Sequence, residues 1–140
     1  MAVRDIAEKL AQVPLFSDCS KRELNLIASA AKEVTHPAGA IVAREGEPGV
    51  GLFLILEGEA EVTIGGRRRR LLGPGDFFGE IALLDGGPRT ATVTARTPLR
   101  VVGITEWVFR GLIHEHPAIA MKTLKAMASR LRTAAKSPPL

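Results

Sequence analysis

Aromatic residues, cysteine and long apolar runs are all scarce in this chain of 140 residues. It has no tyrosine and one tryptophan, and Cys19 is the only cysteine, which excludes an internal disulfide and is typical of a cytoplasmic protein. No apolar stretch approaches the ~18 residues of a membrane span. The first residues also lack the apolar core of a secretion signal. We therefore expect one cytoplasmic domain over residues 1–140 with a single sizeable core.

Histidine is scarce as well, and this bears on metal binding and catalysis. The chain has only His36, His114 and His116. The first lies in a predicted turn, and the other two are two residues apart, which does not place them on one helical face. No nucleophile–base arrangement, Walker loop or dinucleotide fingerprint is present. The sequence therefore predicts no catalytic residue, no metal site and no cofactor.

Positive charge is in excess, with a net charge of +4. Much of that excess is the run Arg67–Arg70, directly after Gly65 and Gly66. A nucleic-acid site is one interpretation, but the aromatic platforms of single-strand binding are missing. No helix-turn-helix follows either. We favour a solvated basic hairpin and expect no DNA-binding element.

The periodicity changes along the chain from helical to strand-like and back. Apolar residues recur at helical spacing from Val3 to Val13, and Ser20 with Glu23 forms a capping box for a second helix. Short apolar or alternating runs between glycine and proline turns then predict a strand-rich region. Two helices follow, one after Thr105 and one from Pro117. The apolar residues that we place on these last two helices are Trp107, Val108, Leu112 and Ile113, then Ala120, Leu124, Met127, Ala128 and Leu131.

The stretch from Phe78 to Val93 carries the most chemical information. A glycine, Gly79, precedes one helical turn that begins at Glu80, and the first N–H groups of such a turn are free to meet an anion. After a Gly-Gly-Pro loop, residues 89, 91, 93 and 95 share one parity, so Arg89 is expected to point inward with the small apolar residues. A buried guanidinium needs an anionic partner. That partner is either Glu80 or a bound ligand.

This ordered string resembles the phosphate-binding cassette of the cyclic nucleotide-binding domain family, which includes catabolite activator proteins, cAMP-dependent kinase regulatory subunits and cyclic nucleotide-gated channels. The resemblance implies that Glu80 takes the ribose 2′-hydroxyl and that Arg89 binds the cyclic phosphate beside Thr90. It also implies that the backbone N–H groups of Gly79 and Ala82 face that phosphate. Ile81, which lies between Glu80 and Ala82, is also a predicted ligand-binding residue.

The resemblance also implies the fold, a mostly β domain with flanking helices. We expect an eight-stranded jelly roll (a double-stranded β-helix) over residues 33–104. N-terminal helices over 1–32 and C-terminal helices over 105–136, including a lid helix, flank it. A jelly roll is also the fold of the metal-dependent cupins, but the histidines that a cupin needs on its strands are missing.

The base of a nucleotide would rest on an apolar wall and under the final helix. Val62 and Ile64 have the parity for the wall, although ordinary core residues have the same parity. Met127, Arg130 or Leu131 is expected to cap the base, and a solvated helix arginine is the alternative for Arg130. Which of them caps the base stays open at this point.

The expected function is therefore that of a sensor that binds cAMP, or cGMP, and signals by movement of its last helix. The chain has no acidic residue after Glu115, which suits adenine at least as well as guanine. The alternative is a ligand-free jelly-roll scaffold that binds other proteins. Because no effector domain is evident, we expect either a sensor excised from a larger protein or one that acts on a partner in trans.

Overall fold

The structure is a computed structural model, and it describes residues 2–134 of the chain. It contains five α-helices within that range: α1 (Val3–Leu10), α2 (Lys21–Ala30), α3 (Glu80–Asp85), α4 (Glu106–Glu115) and α5 (Pro117–Ala134). A short 3₁₀ helix, Pro14–Phe16, follows α1. The predicted first helix therefore ends at Leu10, before Val13, although Val13 is still buried.

Eight strands occupy the middle of the chain. They are β1 (Lys32–His36), β2 (Ile41–Ala43), β3 (Gly51–Glu57), β4 (Ala60–Ile64), β5 (Arg67–Leu72), β6 (Phe77–Phe78), β7 (Thr92–Ala95) and β8 (Leu99–Thr105). They form two antiparallel four-stranded sheets, with the orders β1-β8-β3-β6 and β2-β7-β4-β5. The predicted eight-stranded jelly roll with flanking helices is confirmed.

The core of the strand region lies between the inner faces of both sheets. Strand β3 is buried on both faces, as its continuous apolar run predicts. Strand β7, in the other sheet, alternates between part-exposed and buried positions, and β8, which pairs with β3, is mostly buried. One cluster joins residues of both sheets: Ala43, Ile55, Ala60, Leu72, Phe78, Val93, Ala95, Leu99 and Val101.

The chain divides into two compact units. One comprises residues 30–109 and holds the eight strands with α3; the other comprises the described residues of 1–29 and 110–140 and is helical. In the helical unit the capping box is confirmed, since Ser20 and Glu23 exchange backbone and side-chain hydrogen bonds. Glu23 also accepts a hydrogen bond from Lys122 of α5. None of the described helices is long and apolar enough to cross a membrane.

The apolar faces of the last two helices differ from those that the sequence predicts. On α5 the buried residues are Ile119, Thr123 and Ala126, whereas Leu124 and Leu131 are more than 60% exposed. The packed stripe is thus rotated by about one position from the predicted one. On α4 the buried residue is Phe109, and Trp107 is 84% exposed. The Thr105 cap is confirmed by its bond from the N–H of Val108.

Candidate functional site

A cavity of about 220 Å³ opens in the strand unit. This volume lies somewhat below the roughly 300–1,000 Å³ that small-molecule sites commonly enclose. Its wall is built by strands of the second sheet, by β6, by the first turn of α3 and by the loop that leads into β7. The lining residues are Ala43, Val62, Arg70, Leu72, Phe77, Phe78, Gly79, Glu80, Ile81, Ala82, Pro88, Arg89, Thr90, Ala91 and Val93.

The turn of α3 presents its N-terminus to this cavity. Gly79 is the N-cap, with φ of +89°, and no side-chain hydrogen bond caps the turn there. Ala82 and Leu83 are buried and fix the turn against the strand unit. Ala82 also packs so closely on Gly49 that a Cβ at residue 49 would overlap the Ala82 methyl group. The absence of a side chain at both glycines therefore brings this backbone close to the cavity.

The backbone of Arg89 is held by a loop that lies more than 35 residues earlier. The Arg89 N–H donates to the carbonyl of Glu47 at 2.7 Å, and the Arg89 carbonyl accepts from Gly46 at 2.9 Å. The Gly49 N–H donates to the carbonyl of Gly87 at 3.0 Å. These three bonds fix the path of the chain on either side of Arg89.

The side chain of Arg89 is partly buried and lines the cavity, but residue 89 precedes strand β7, so strand parity does not account for its direction. Its Nη1 donates to the carbonyl oxygen of Gly51 at 3.0 Å, and its Cζ lies 5.8 Å from the centre of the Phe53 ring. A Cβ at Gly79 would overlap both Arg89 Nη1 and the Gly51 oxygen. Burial lowers the pKa of the guanidinium, and the Glu80 carboxylate raises it in part. The guanidinium thus donates to a neutral carbonyl and has the Glu80 carboxylate as a charged neighbour.

The cavity brings together most of the predicted ligand-binding residues. Those that line it are Val62, Gly79, Glu80, Ile81, Ala82, Arg89 and Thr90. Ile64 is not among the lining residues and is 37% exposed near the hairpin tip, so the structure does not bring it to the cavity. Arg130 and Leu131 lie on α5 in the helical unit, and their contact with a base stays a prediction.

The predictions from the sequence omit one charged residue of the wall and the residues behind the wall that contact Arg89. Arg70 is the second cation of the wall, and its guanidinium lies 3.5 Å from Asp76. Its parity with the buried Leu72 is a signal that points to the cavity. For the loop Gly46–Gly49 and for Phe53, the local pattern carries no such signal, because their contacts with Arg89 are distant in sequence. Within residues 2–134, no group of three or more His, Cys, Asp or Glu side chains is placed to hold a metal ion.

Comparison with known proteins agrees with this geometry. A family model described as the cyclic nucleotide-binding domain matches residues 33–116, which is more than half of the chain. The chain belongs to the cyclic nucleotide-binding domain family. The matched segment includes all eight strands except the first residue of β1, together with α3, Arg89 and α4.

Two of the relatives that match this chain are a channel and a transcriptional regulator. A cyclic nucleotide-gated potassium channel of Mesorhizobium japonicum is 38% identical over 91% of this chain and 36% of its own length. A CRP-like cAMP-activated global transcriptional regulator of Mycobacterium tuberculosis is 32% identical over 89% of this chain and 58% of its own length. The chain thus spans between about a third and three fifths of these two relatives.

A solved structure gives the same result for the fold. The N-terminal domain of a transcriptional regulator from Streptomyces coelicolor A3(2) superposes with a TM-score of 0.79 at 30% sequence identity. The match covers 90% of this chain and 93% of that one. This chain is therefore similar in fold to the N-terminal domain of that transcriptional regulator.

Proposed function

We propose that this domain is a cyclic nucleotide receptor that prefers cAMP and has no catalytic activity of its own. The observation that carries the proposal is the place of Arg89. A part-buried guanidinium lines a cavity next to the uncapped first turn of α3. A cation and the backbone N–H groups at the start of a helical turn, on one wall, are the chemistry of a site for a singly charged phosphodiester.

The ligand contacts follow from the residues on that wall. Arg89 would bind an exocyclic phosphate oxygen, and the backbone N–H groups of Gly79 and Ala82 would face the other. Hydrogen bonds to charged groups contribute roughly 1.5–3 kcal/mol each. Glu80 would accept the ribose 2′-hydroxyl, which selects against a deoxyribose. In such a site Arg89 and Glu80 are committed to binding, and neither is left as a general base for water.

The base would lie on the side of the cavity that Val62 lines. Thr90 is exposed at the rim, and its hydroxyl both donates and accepts, so it permits guanine without requiring it. The relative from Mycobacterium tuberculosis is cAMP-activated, which favours adenine. We expect cAMP to bind best, with cGMP within roughly 1–2 kcal/mol, about one hydrogen bond.

Signalling would pass through the last helix. In our proposal the bound nucleotide favours one position of α5, in which Met127, Arg130 or Leu131 caps the base. The resulting change in the populations of the two α5 positions then alters an effector. The effector is a further domain or a partner in trans, acting in the cytoplasm. The alternative of a ligand-free scaffold does not account for a part-buried arginine in a cavity wall.

Calorimetric titration of the whole chain with cAMP, cGMP and 5′-AMP tests this proposal. The third ligand keeps the adenine and ribose and lacks the cyclic phosphate. We expect 1:1 binding of both cyclic nucleotides, with 5′-AMP at least about tenfold weaker. In Thr90→Ala, cGMP affinity should fall about three- to tenfold while cAMP affinity is nearly unchanged. A hundredfold preference for cGMP would contradict the base assignment, and no binding of either to folded protein would contradict the receptor.

A further inference from the structure

Strand β3 holds the Arg89 guanidinium with two groups on one face. Gly51, whose carbonyl oxygen accepts from Arg89 Nη1 at 3.0 Å, is two residues before Phe53. The Phe53 ring centre lies 5.8 Å from Arg89 Cζ. Attraction between a guanidinium and an aromatic face extends to ≈ 6 Å. One contact fixes an edge of the cation, and the other places its central carbon over the ring.

The ring itself is fixed by the two strands that flank β3. On the β6 side, Phe53 is the register partner of Phe78, and their rings stack with centres 5.4 Å apart and planes 27° from parallel. On the β8 side, its partner is Gly103, where an added Cβ would lie 2.7 Å from ring atom Cε1. The ring therefore occupies the space that a side chain at residue 103 would fill. These two neighbours set the position of the ring.

Both groups that β3 offers to the cation are neutral. A carbonyl oxygen and an aromatic face attract a guanidinium without cancelling its charge, so that the charge stays available to an anion. Ordinary packing would also explain a part-buried Phe53 beside the core cluster. Packing alone, however, requires only an apolar side chain of similar size, and leucine would satisfy it. The aromatic face is what the contact with Arg89 adds.

We propose that Phe53 is a positioning residue, whose ring orients the Arg89 guanidinium toward the cavity in the ligand-free protein. The proposal rests on the proposed function, because the oriented cation would be the one that meets the cyclic phosphate. Orientation before binding lowers the cost of ordering Arg89 when the ligand arrives. Phe53 would not need to touch the nucleotide to have this effect.

The test compares Phe53→Leu, which keeps an apolar side chain, with Phe53→Tyr, which keeps the aromatic face. The first readout is the NMR signal of the Arg89 side chain in the ligand-free protein. We expect ring-current shifts on Arg89 in the parent and in Phe53→Tyr, and their loss in Phe53→Leu. The second readout is cAMP affinity, which should fall about three- to tenfold in Phe53→Leu and stay within about twofold in Phe53→Tyr. Phe109→Leu, a buried aromatic of the same unit that does not line the cavity, is the control for lost stability.

A double-mutant cycle that combines Phe53→Leu with Arg89→Lys distinguishes a positioning role of Phe53 from a packing role. Because lysine lacks a flat cation, Phe53→Leu should weaken cAMP binding less in the Arg89→Lys chain than in the parent. Equal weakening in both would overturn the proposal, as would unshifted Arg89 signals in the parent, a result that needs no variant to fold. If those signals are shifted but the parent binds no cyclic nucleotide, the proposed function fails and the positioning of Arg89 by Phe53 is still supported.

Discussion

At the scale of single residues, the site depends on positions that have no side chain. A Cβ at Gly79 would overlap Arg89 Nη1 and the Gly51 oxygen, and one at Gly49 would overlap Ala82. Because these contacts are so close, the first turn of α3, the Arg89 guanidinium and the start of β3 pack directly against one another. The chemistry of Arg89 therefore depends on glycines that never contact a ligand through a side chain.

Gly79→Ala tests this dependence, with Gly75→Ala as a matched control. Both glycines have φ of +89°, but nothing lies within 4 Å of a Cβ at Gly75. Each variant should lose about 1–2 kcal/mol of unfolding free energy from the same backbone strain. Only Gly79→Ala should also lose cAMP affinity, by at least about tenfold in calorimetry. Equal affinities in the two variants would show that Arg89 does not need this space.

Glu80 is a second residue with a separable role. In Glu80→Gln the 2′-hydroxyl would meet a neutral acceptor in place of a charged one, and the bond would weaken by roughly 1 kcal/mol. We expect the preference for cAMP over 2′-deoxy-cAMP to narrow about fivefold, with a smaller loss of cAMP affinity than in Arg89→Ala. The measurement is the ratio of the two dissociation constants. An unchanged ratio would make Glu80 a structural residue.

At the scale of helices and strands, local patterns predict well wherever one short segment decides the outcome. The buried strand β3, the capping box of α2 and the Thr105 cap of α4 each follow from residues within a few positions. The exposure of Ile64 does not follow in this way, because the β4–β5 register shifts between Val62 and Thr63, close to the hairpin tip. The packed face of α5 also differs, since several overlapping stripes on that helix are apolar.

Contacts between distant segments lie outside what such patterns can predict. The loop Gly46–Gly49 has the composition of an ordinary turn, and nothing local shows that it holds the backbone of Arg89. Phe53 likewise has the pattern of a plain buried strand residue. The sequence thus predicts Glu80, Arg89 and their neighbours as residues of the cavity wall. The structure shows, in addition, the loop and the ring that contact Arg89.

The capping box of α2 gives a pH-dependent prediction. The hydrogen bond from Lys122 is the largest cause that lowers the pKa of Glu23, followed by the bond from the Ser20 backbone. A carboxylate with a lowered pKa stabilises the fold above its unfolded pKa, about 4.3, and loses that contribution as pH falls through the folded value. Glu23→Gln should be less stable than the parent by up to about 1 kcal/mol at pH 7.

Urea unfolding at several pH values measures this difference. It should shrink as pH falls below about 4, because the parent carboxylate then becomes protonated and neutral, like the glutamine. A difference that is the same at pH 7 and pH 3 would mean that the charge of Glu23 contributes nothing.

The proposed role of α5 is also testable by truncation. Its buried residues Ile119, Thr123 and Ala126 all precede Ser129, so a chain that ends at Ser129 keeps the packed part of the helix. Without Arg130 and Leu131, cAMP should leave at least about threefold faster, since a lid acts mainly on residence time. Stopped-flow release gives the off-rate, and circular dichroism checks that the strands remain folded. Equal off-rates would place the lid elsewhere.

At the scale of the whole molecule, the strand unit holds the cavity, and the chain after residue 109 belongs to the helical unit. The boundary falls inside α4, so one helix begins in one unit and ends in the other. The arginines Arg67–Arg69 are exposed on β5 and are not among the residues that line the cavity.

The most direct measurement of the central claim is cAMP affinity in Arg89→Ala, with Arg69→Ala as its control. Both changes remove one arginine, but Arg69 is exposed on β5 and does not line the cavity. Loss of a part-buried charge partner costs roughly 2–5 kcal/mol, and each ~1.4 kcal/mol is tenfold in affinity. We predict that Arg89→Ala raises the dissociation constant at least about thirtyfold, whereas Arg69→Ala changes it less than about twofold. A folded Arg89→Ala protein with the parent's dissociation constant would contradict the account.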